Sequence, residues 1–275
     1  MKLQGIFVDT ATPFDHAGAL YRVKIEHNIG KWNQTSVAGY VVGGFAGEGA
    51  LLSAEEKIEL WKIAAACAGP DKLLIAGVDI AGVCEASALV NQAADAGYAL
   101  ALAETPRSEP LMRSQEVQLL YFRSVADRAR IPILISLRIE LAADTLSALS
   151  QHPNIAGVVD HSGERKGALC GSATRLWNAF THGAPAAVLS FANAAPYAAI
   201  ALWEAFRTRE EEAGQEWQSR IAPAADLLSS RFGIAGLKHA MDLNGYYGGP
   251  PRLPWSTVGP AARIEIEKVF ADLKS

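Results

Sequence analysis

Asp9, Glu104 and His161 are the side chains of this sequence best suited to moving protons, and Arg107 and Arg138 those best suited to holding an anion. Each falls at or just past the C-terminal end of a short apolar run, as do Glu48, Asp79, Ser136, Asp160, Ser190 and Asn193. A buried acid without a partner resists ionisation, so Asp9 requires a cation, and Arg107 or Arg138 can supply it. That pairing reads as a polar pocket or as an ion pair that fills the space. His161 stands two residues beyond Val159, and the period of two along a strand points both to one side. It reads as a general base or, equally, as a hydrogen-bonded structural histidine. The carboxylates and His161 carry donors that suit magnesium or manganese. No short ligand motif accompanies them, so neither a metal nor a cofactor is expected. Gly44-Phe45-Ala46-Gly47 is a turn; it lacks the lysine of a phosphate-cradling loop.

What gathers these residues at one end is an alternation of two periods. Short apolar runs bounded by Gly or Pro alternate with segments of helical period, the mark of βα units and a parallel sheet. Strands are expected at Gly5–Thr10, Gly39–Gly44, Lys72–Gly77, Ala99–Ala103, Ile131–Leu137, Ile155–Val159 and Ala186–Phe191. Helices are expected at about Tyr21–Trp32, from Ser53 with Glu56 completing a capping box, and at about Glu85–Ala96, Ser114–Arg128 and Ala142–Ser150, with a last one reaching Arg207. The seventh strand has one candidate, Gly167–Gly171, and too little chain precedes it for a normal parallel crossover. The expected fold is therefore α/β, a TIM (β/α)8 barrel over residues 1–222 whose sixth helix is irregular or missing. A C-terminal helical region, 223–275, follows. Such a barrel gathers its active site at the C-terminal ends of its strands.

The chain has 275 residues, a length that suits one barrel, and a net charge of −4. No Lys/Arg-rich run appears, which argues against a nucleic-acid partner. Cys67, Cys84 and Cys170 are odd in number and scattered, fitting a reducing compartment better than a disulfide framework. The start lacks a signal-peptide layout, and no apolar stretch reaches the roughly 18 residues that span a bilayer. A cytoplasmic protein with no membrane partner is expected.

Seven segments carry a resemblance. They are Thr12-Pro13-Phe14-Asp15; Gly44-Phe45-Ala46-Gly47-Glu48 with Leu52-Ser53 and Glu56; Ile75-Ala76-Gly77; Thr105-Pro106; Pro153-Asn154-Ile155-Ala156-Gly157-Val158; Ser190 to Pro196; and Gly248-Gly249-Pro250-Pro251-Arg252-Leu253-Pro254. In this order the chain resembles the dihydrodipicolinate synthase / N-acetylneuraminate lyase family over nearly its whole length. That resemblance implies a barrel lyase in which a lysine on strand six forms a Schiff base with a 2-oxo acid. At the place of that lysine stands Val159. Phe45 and Ala46 replace two carboxylate-binding threonines, Ile135 a proton-relaying tyrosine, and Arg107-Ser108 a second tyrosine that crosses a subunit interface. Of the arginine segment after strand five, Arg138 remains. Lys166 reads as a solvated turn lysine and Lys238 as a surface or interface charge.

The expectation is a family member without imine chemistry, either catalytically silent or a binder of a small carboxylate. The residues expected around that ligand are Phe45, Ala46, Arg107, Ser136, Arg138, Val159 and Ser190. An active lyase or hydro-lyase using Asp9, Glu104 or His161 is the alternative. A structural subunit that assembles with an active paralogue is a third class. The resemblance also implies a homo-oligomer.

Overall fold

The structure, a computed structural model, describes residues 3–105 and 110–273. Eight parallel strands close into a barrel in sequence order: β1 Gly5–Thr10, β2 Gly39–Val42, β3 Leu73–Val78, β4 Leu100–Glu104, β5 Ile133–Leu137, β6 Ile155–Asp160, β7 Leu169–Cys170 and β8 Ala186–Leu189. The expected barrel is thus the observed one. Arg107 lies outside the described residues.

The alternation of side chains splits the apolar residues into two layers. Phe7, Val41, Ile75, Leu102, Leu134, Val159 and Val188 fill the barrel. Ile6, Val8, Tyr40, Ala76, Ala101, Ile133 and Ile135 face outward, under the helices. Those helices are α1 Arg22–Asn33, α2 Ala54–Cys67, α3 Val83–Asp95, α4 Gln115–Arg128, α5 Ala143–Ser150, α6 Leu176–Thr181 and α7 Pro196–Thr208. Ser53 begins α2 with the expected reciprocal capping box to Glu56.

No helix joins β6 to β7. The short link suffices because β7 is two residues long and Leu169 sits beside Val159, near the far end of β6. The chain therefore never has to return along a full strand. Asp160 organises the turn. Its carboxylate accepts from the Ser162 hydroxyl at 2.7 Å and from the Glu164 and Arg165 amides at 3.0 Å each. Two consequences are visible in β6. Its first four residues have no ladder partner on the β7 side, and its outer face is partly open to solvent.

The sequence reading contained neither α6, which follows β7, nor α8, Glu211–Asp226. Helix α8 runs through residue 222, so the chain passes from barrel to tail without a linker. A π-helical turn, Leu227–Phe232, follows, then α9 Gly233–Leu243 and α10 Pro260–Phe270. No helix among the described residues is long and apolar enough to cross a membrane.

The tail is fastened to the barrel by charge. Lys238 of α9 is buried, 1% exposed, and its ammonium lies 2.6 Å from Glu48. It also donates to the carbonyls of Thr12 at 2.9 Å and Pro250 at 3.0 Å. The expectation of a surface or interface charge fails for Lys238: burial draws its pKa down, against the pull of Glu48. The Arg252 amide donates to Glu48 at 2.8 Å, and the Arg252 guanidinium grips both oxygens of Glu56 at 2.7 Å each.

Candidate functional site

The inward-facing register brings one set of polar side chains to the C-terminal rim of the barrel. Asp9 follows Phe7 on β1, Glu104 follows Leu102 on β4, Ser136 follows Leu134 on β5, His161 follows Val159 on β6, and Ser190 follows Val188 on β8. Each is two residues beyond a barrel-filling apolar residue, so the strand period turns it into the mouth. Ile135 points the other way, into the layer beneath the helices. This corrects its placement as the relay position: the inward residue at the end of β5 is Ser136, one position on.

Asp9 is 4% exposed. One carboxylate oxygen accepts from the Ala46 amide and the Ser190 hydroxyl, each at 3.1 Å. The other approaches Gly44 so closely that a Cβ there would lie 2.7 Å from it, which is one reason the turn needs glycine. Burial pushes the Asp9 pKa up to about 6, against the opposing charge of Arg138 and the Ala46 hydrogen bond. The pairing of Asp9 with an arginine is thus electrostatic and at a distance. Arg138 itself lies 3.5 Å from Glu104 and stacks over the Phe45 ring, 4.0 Å from its centroid. Phe45 remains 42% exposed, so it walls the mouth without plugging it.

His161 is held from both sides. Its Nδ1 lies 3.3 Å from the Gly171 carbonyl and its Nε2 lies 3.0 Å from the Ser136 hydroxyl. A carbonyl can only accept, so Nδ1 donates to Gly171; in the neutral imidazole Nε2 then accepts from Ser136. Any side chain at Gly171 would run into the imidazole. Arg138, His161, Phe45, Ala46 and Ser190 line a cavity of about 380 Å³. A second groove, of about 590 Å³, shares Arg138 and His161 and opens beside the turn that replaces the sixth helix.

The structure separates the remaining candidates from this group. Asp79 forms an ion pair with buried Lys57. Glu48 holds Lys238, and Asp160 caps its own turn. Asn193 donates to the backbone of Asp9 and accepts from the Ala11 amide at 2.8 Å, bracing β8 against β1. Among the described residues no three His, Cys, Asp or Glu side chains gather as metal ligands. Lys166 is exposed on its turn. Val159, within the barrel, has no exposed surface.

The sequence reading missed the helical side of the cavity, formed by Leu228, Ile234 and Leu237, together with Ser172 and Thr174 after β7. The helical period from Ala222 signalled the tail helices; nothing local signalled that they would lie over the mouth.

Residues 2–273 match the dihydrodipicolinate synthetase family. A 4-hydroxy-tetrahydrodipicolinate synthase of an Exiguobacterium species is 26% identical, over 95% of each chain. The same-named enzyme of Xanthomonas campestris is 30% identical, covering 81% of this chain and 79% of its own length. The crystal structure of a dihydrodipicolinate synthase from Bacillus anthracis superposes with a TM-score of 0.92 over 100% of both chains at 20% identity, a likeness of fold. The chain belongs to the dihydrodipicolinate synthetase family.

Proposed function

We propose that this protein binds a small carboxylate at the barrel mouth without forming an imine. The observation that carries the reading is the open cavity at the strand ends, with Arg138 on its wall and apolar Val159 in the barrel below. A guanidinium that is always charged and fork-shaped suits a carboxylate. His161, whose two ring nitrogens are engaged by Gly171 and Ser136, forms part of the same wall. No lysine is among the described residues that line the cavity, and a Schiff base needs a desolvated amine within reach of the carbonyl.

Titration calorimetry with pyruvate, combined with borohydride treatment and intact-mass measurement, tests this. The expected result is saturable binding and no mass adduct. Arg138→Met is expected to weaken binding roughly tenfold to a hundredfold, in line with the loss of a charge-assisted hydrogen bond. A stoichiometric borohydride adduct would overturn the absence of imine chemistry. Binding indifferent to Arg138→Met would overturn the assignment of the carboxylate site.

A further inference from the structure

The cavity is chemically two-sided. On the barrel side it carries Arg138, His161 and Ser190; on the helical side it carries Leu228, Ile234 and Leu237, with Phe191 joining them from the end of β8. No Asp or Glu is among the described residues that line it. Its volume of about 380 Å³ equals roughly a dozen water volumes at about 30 Å³ each, far more than pyruvate fills. A polyhydroxylated chain lying toward the tail helices would find Ser229 there and Ser172 and Thr174 beside them, while Leu228, Ile234 and Leu237 would leave its other polar groups unpaired. The helical side is also built in an uncommon way. Leu228 and Ser229 sit on the π-helical turn, a wide-turned element that occurs disproportionately at functional sites. Pro223, four residues before that turn, has no amide proton to give to the helix ladder.

We propose that the ligand of this site is a carboxylate with an apolar chain, its charged end on Arg138 and its chain against Leu228, Ile234 and Leu237. This rests on the carboxylate reading above and names the chemical class within it. A pocket of mostly apolar lining with a few convergent polar groups fixes a ligand by its polar end and selects it by its apolar body. Each methylene buried against the tail helices is worth about a fourfold gain in affinity, the factor that follows from about 0.8 kcal/mol per CH₂.

The experiment is a titration series on the wild-type protein with pyruvate, 2-oxobutanoate, 2-oxopentanoate and 2-oxohexanoate, repeated for Arg138→Met and Ile234→Ser. Ile234 is only partly buried, and the wild-type series stands without the variants. Expected is an affinity that climbs about fourfold per added carbon. Ile234→Ser is expected to flatten the climb, costing the longest member of the series the most affinity. Arg138→Met is expected to weaken every member alike. A flat wild-type series that remains sensitive to Arg138→Met overturns the apolar-chain inference and leaves the carboxylate site standing. If no 2-oxo acid of the series binds, both fall.

Discussion

At the end of β1 a carboxyl group is kept from water, and the cost of ionising it falls on the fold. The pKa of Asp9 rises from 3.8 to about 6 on folding. The native state therefore holds this proton more tightly than the unfolded chain does. The associated stability is fully present below about pH 4 and is lost as pH rises through about 6. A shift of this size is worth about 3 kcal/mol at most. Asp9→Asn keeps the shape and an acceptor for the Ala46 amide and Ser190 hydroxyl. It is expected to raise Tm at pH 8 by up to roughly 6 °C and to leave it unchanged at pH 4, as thermal melts at the two pH values would register. A loss of Tm at pH 8 that is absent at pH 4 would mean that the fold needs the carboxylate ionised.

The position of Asp9 was legible in the sequence, since an acid at the end of an apolar run has few structural explanations. The choice between Ile135 and Ser136 was not, because a slip of one residue along a strand exchanges the two faces of the sheet. Lys238 was misread for a different reason: its partner, Glu48, lies far away in sequence, and only the closed fold brings them together.

Among the elements, the turn after β6 shows how one side chain can stand in for a missing helix. Asp160 accepts from both the amide and the hydroxyl of Ser162 and from the amides of Glu164 and Arg165. Burial opposes its ionisation, but these hydrogen bonds prevail and hold the pKa below the ordinary carboxylate value. The stability it lends is therefore present above that ordinary value and declines as the solution is acidified. Asp160→Ala is expected to cost about 2–3 kcal/mol at pH 7 by chemical denaturation, because several donors lose a charged acceptor at once. A loss under 0.5 kcal/mol would show that water replaces the carboxylate freely.

The missing helix itself was readable from chain length alone, since too few residues separate the two strands. Helix α6 was overlooked although Leu176, Ala179 and Phe180 recur at helical spacing and are all buried. It has only six residues, short enough for one apolar cluster to pass as loop. Helix α8 was overlooked because its first half, Glu211 to Gln218, is rich in charged and polar residues, and its buried face appears only against its neighbours.

At the scale of the whole molecule, the barrel and the tail are one cooperative object because the tail carries a cation into the barrel's rim. Lys238 and Glu48 are 1% and 0% exposed in their side chains. Removing one partner of such a pair strands the other charge away from water, which costs about 3–5 kcal/mol. Lys238→Met is therefore expected to lower Tm by roughly 10 °C, and adding Glu48→Gln in the same chain is expected to restore part of the loss. A calorimetric comparison of the two single variants with the double variant measures the coupling, and additive losses would show that the two side chains act independently.

The same scale gives the bare side of β6 its meaning. A ring of eight strands has no ends only if every joint holds, and here β7 meets β8 at a single pair, Cys170 with Ala187. The joint between β7 and β8 thus has the fewest ladder pairs in the ring. An opening of the ring at this stretch would bare a strand margin able to recruit a foreign strand. For a designer, Lys166 and Gly167, exposed and beyond the amides that Asp160 holds, are the natural place to cut the chain and rejoin its ends elsewhere.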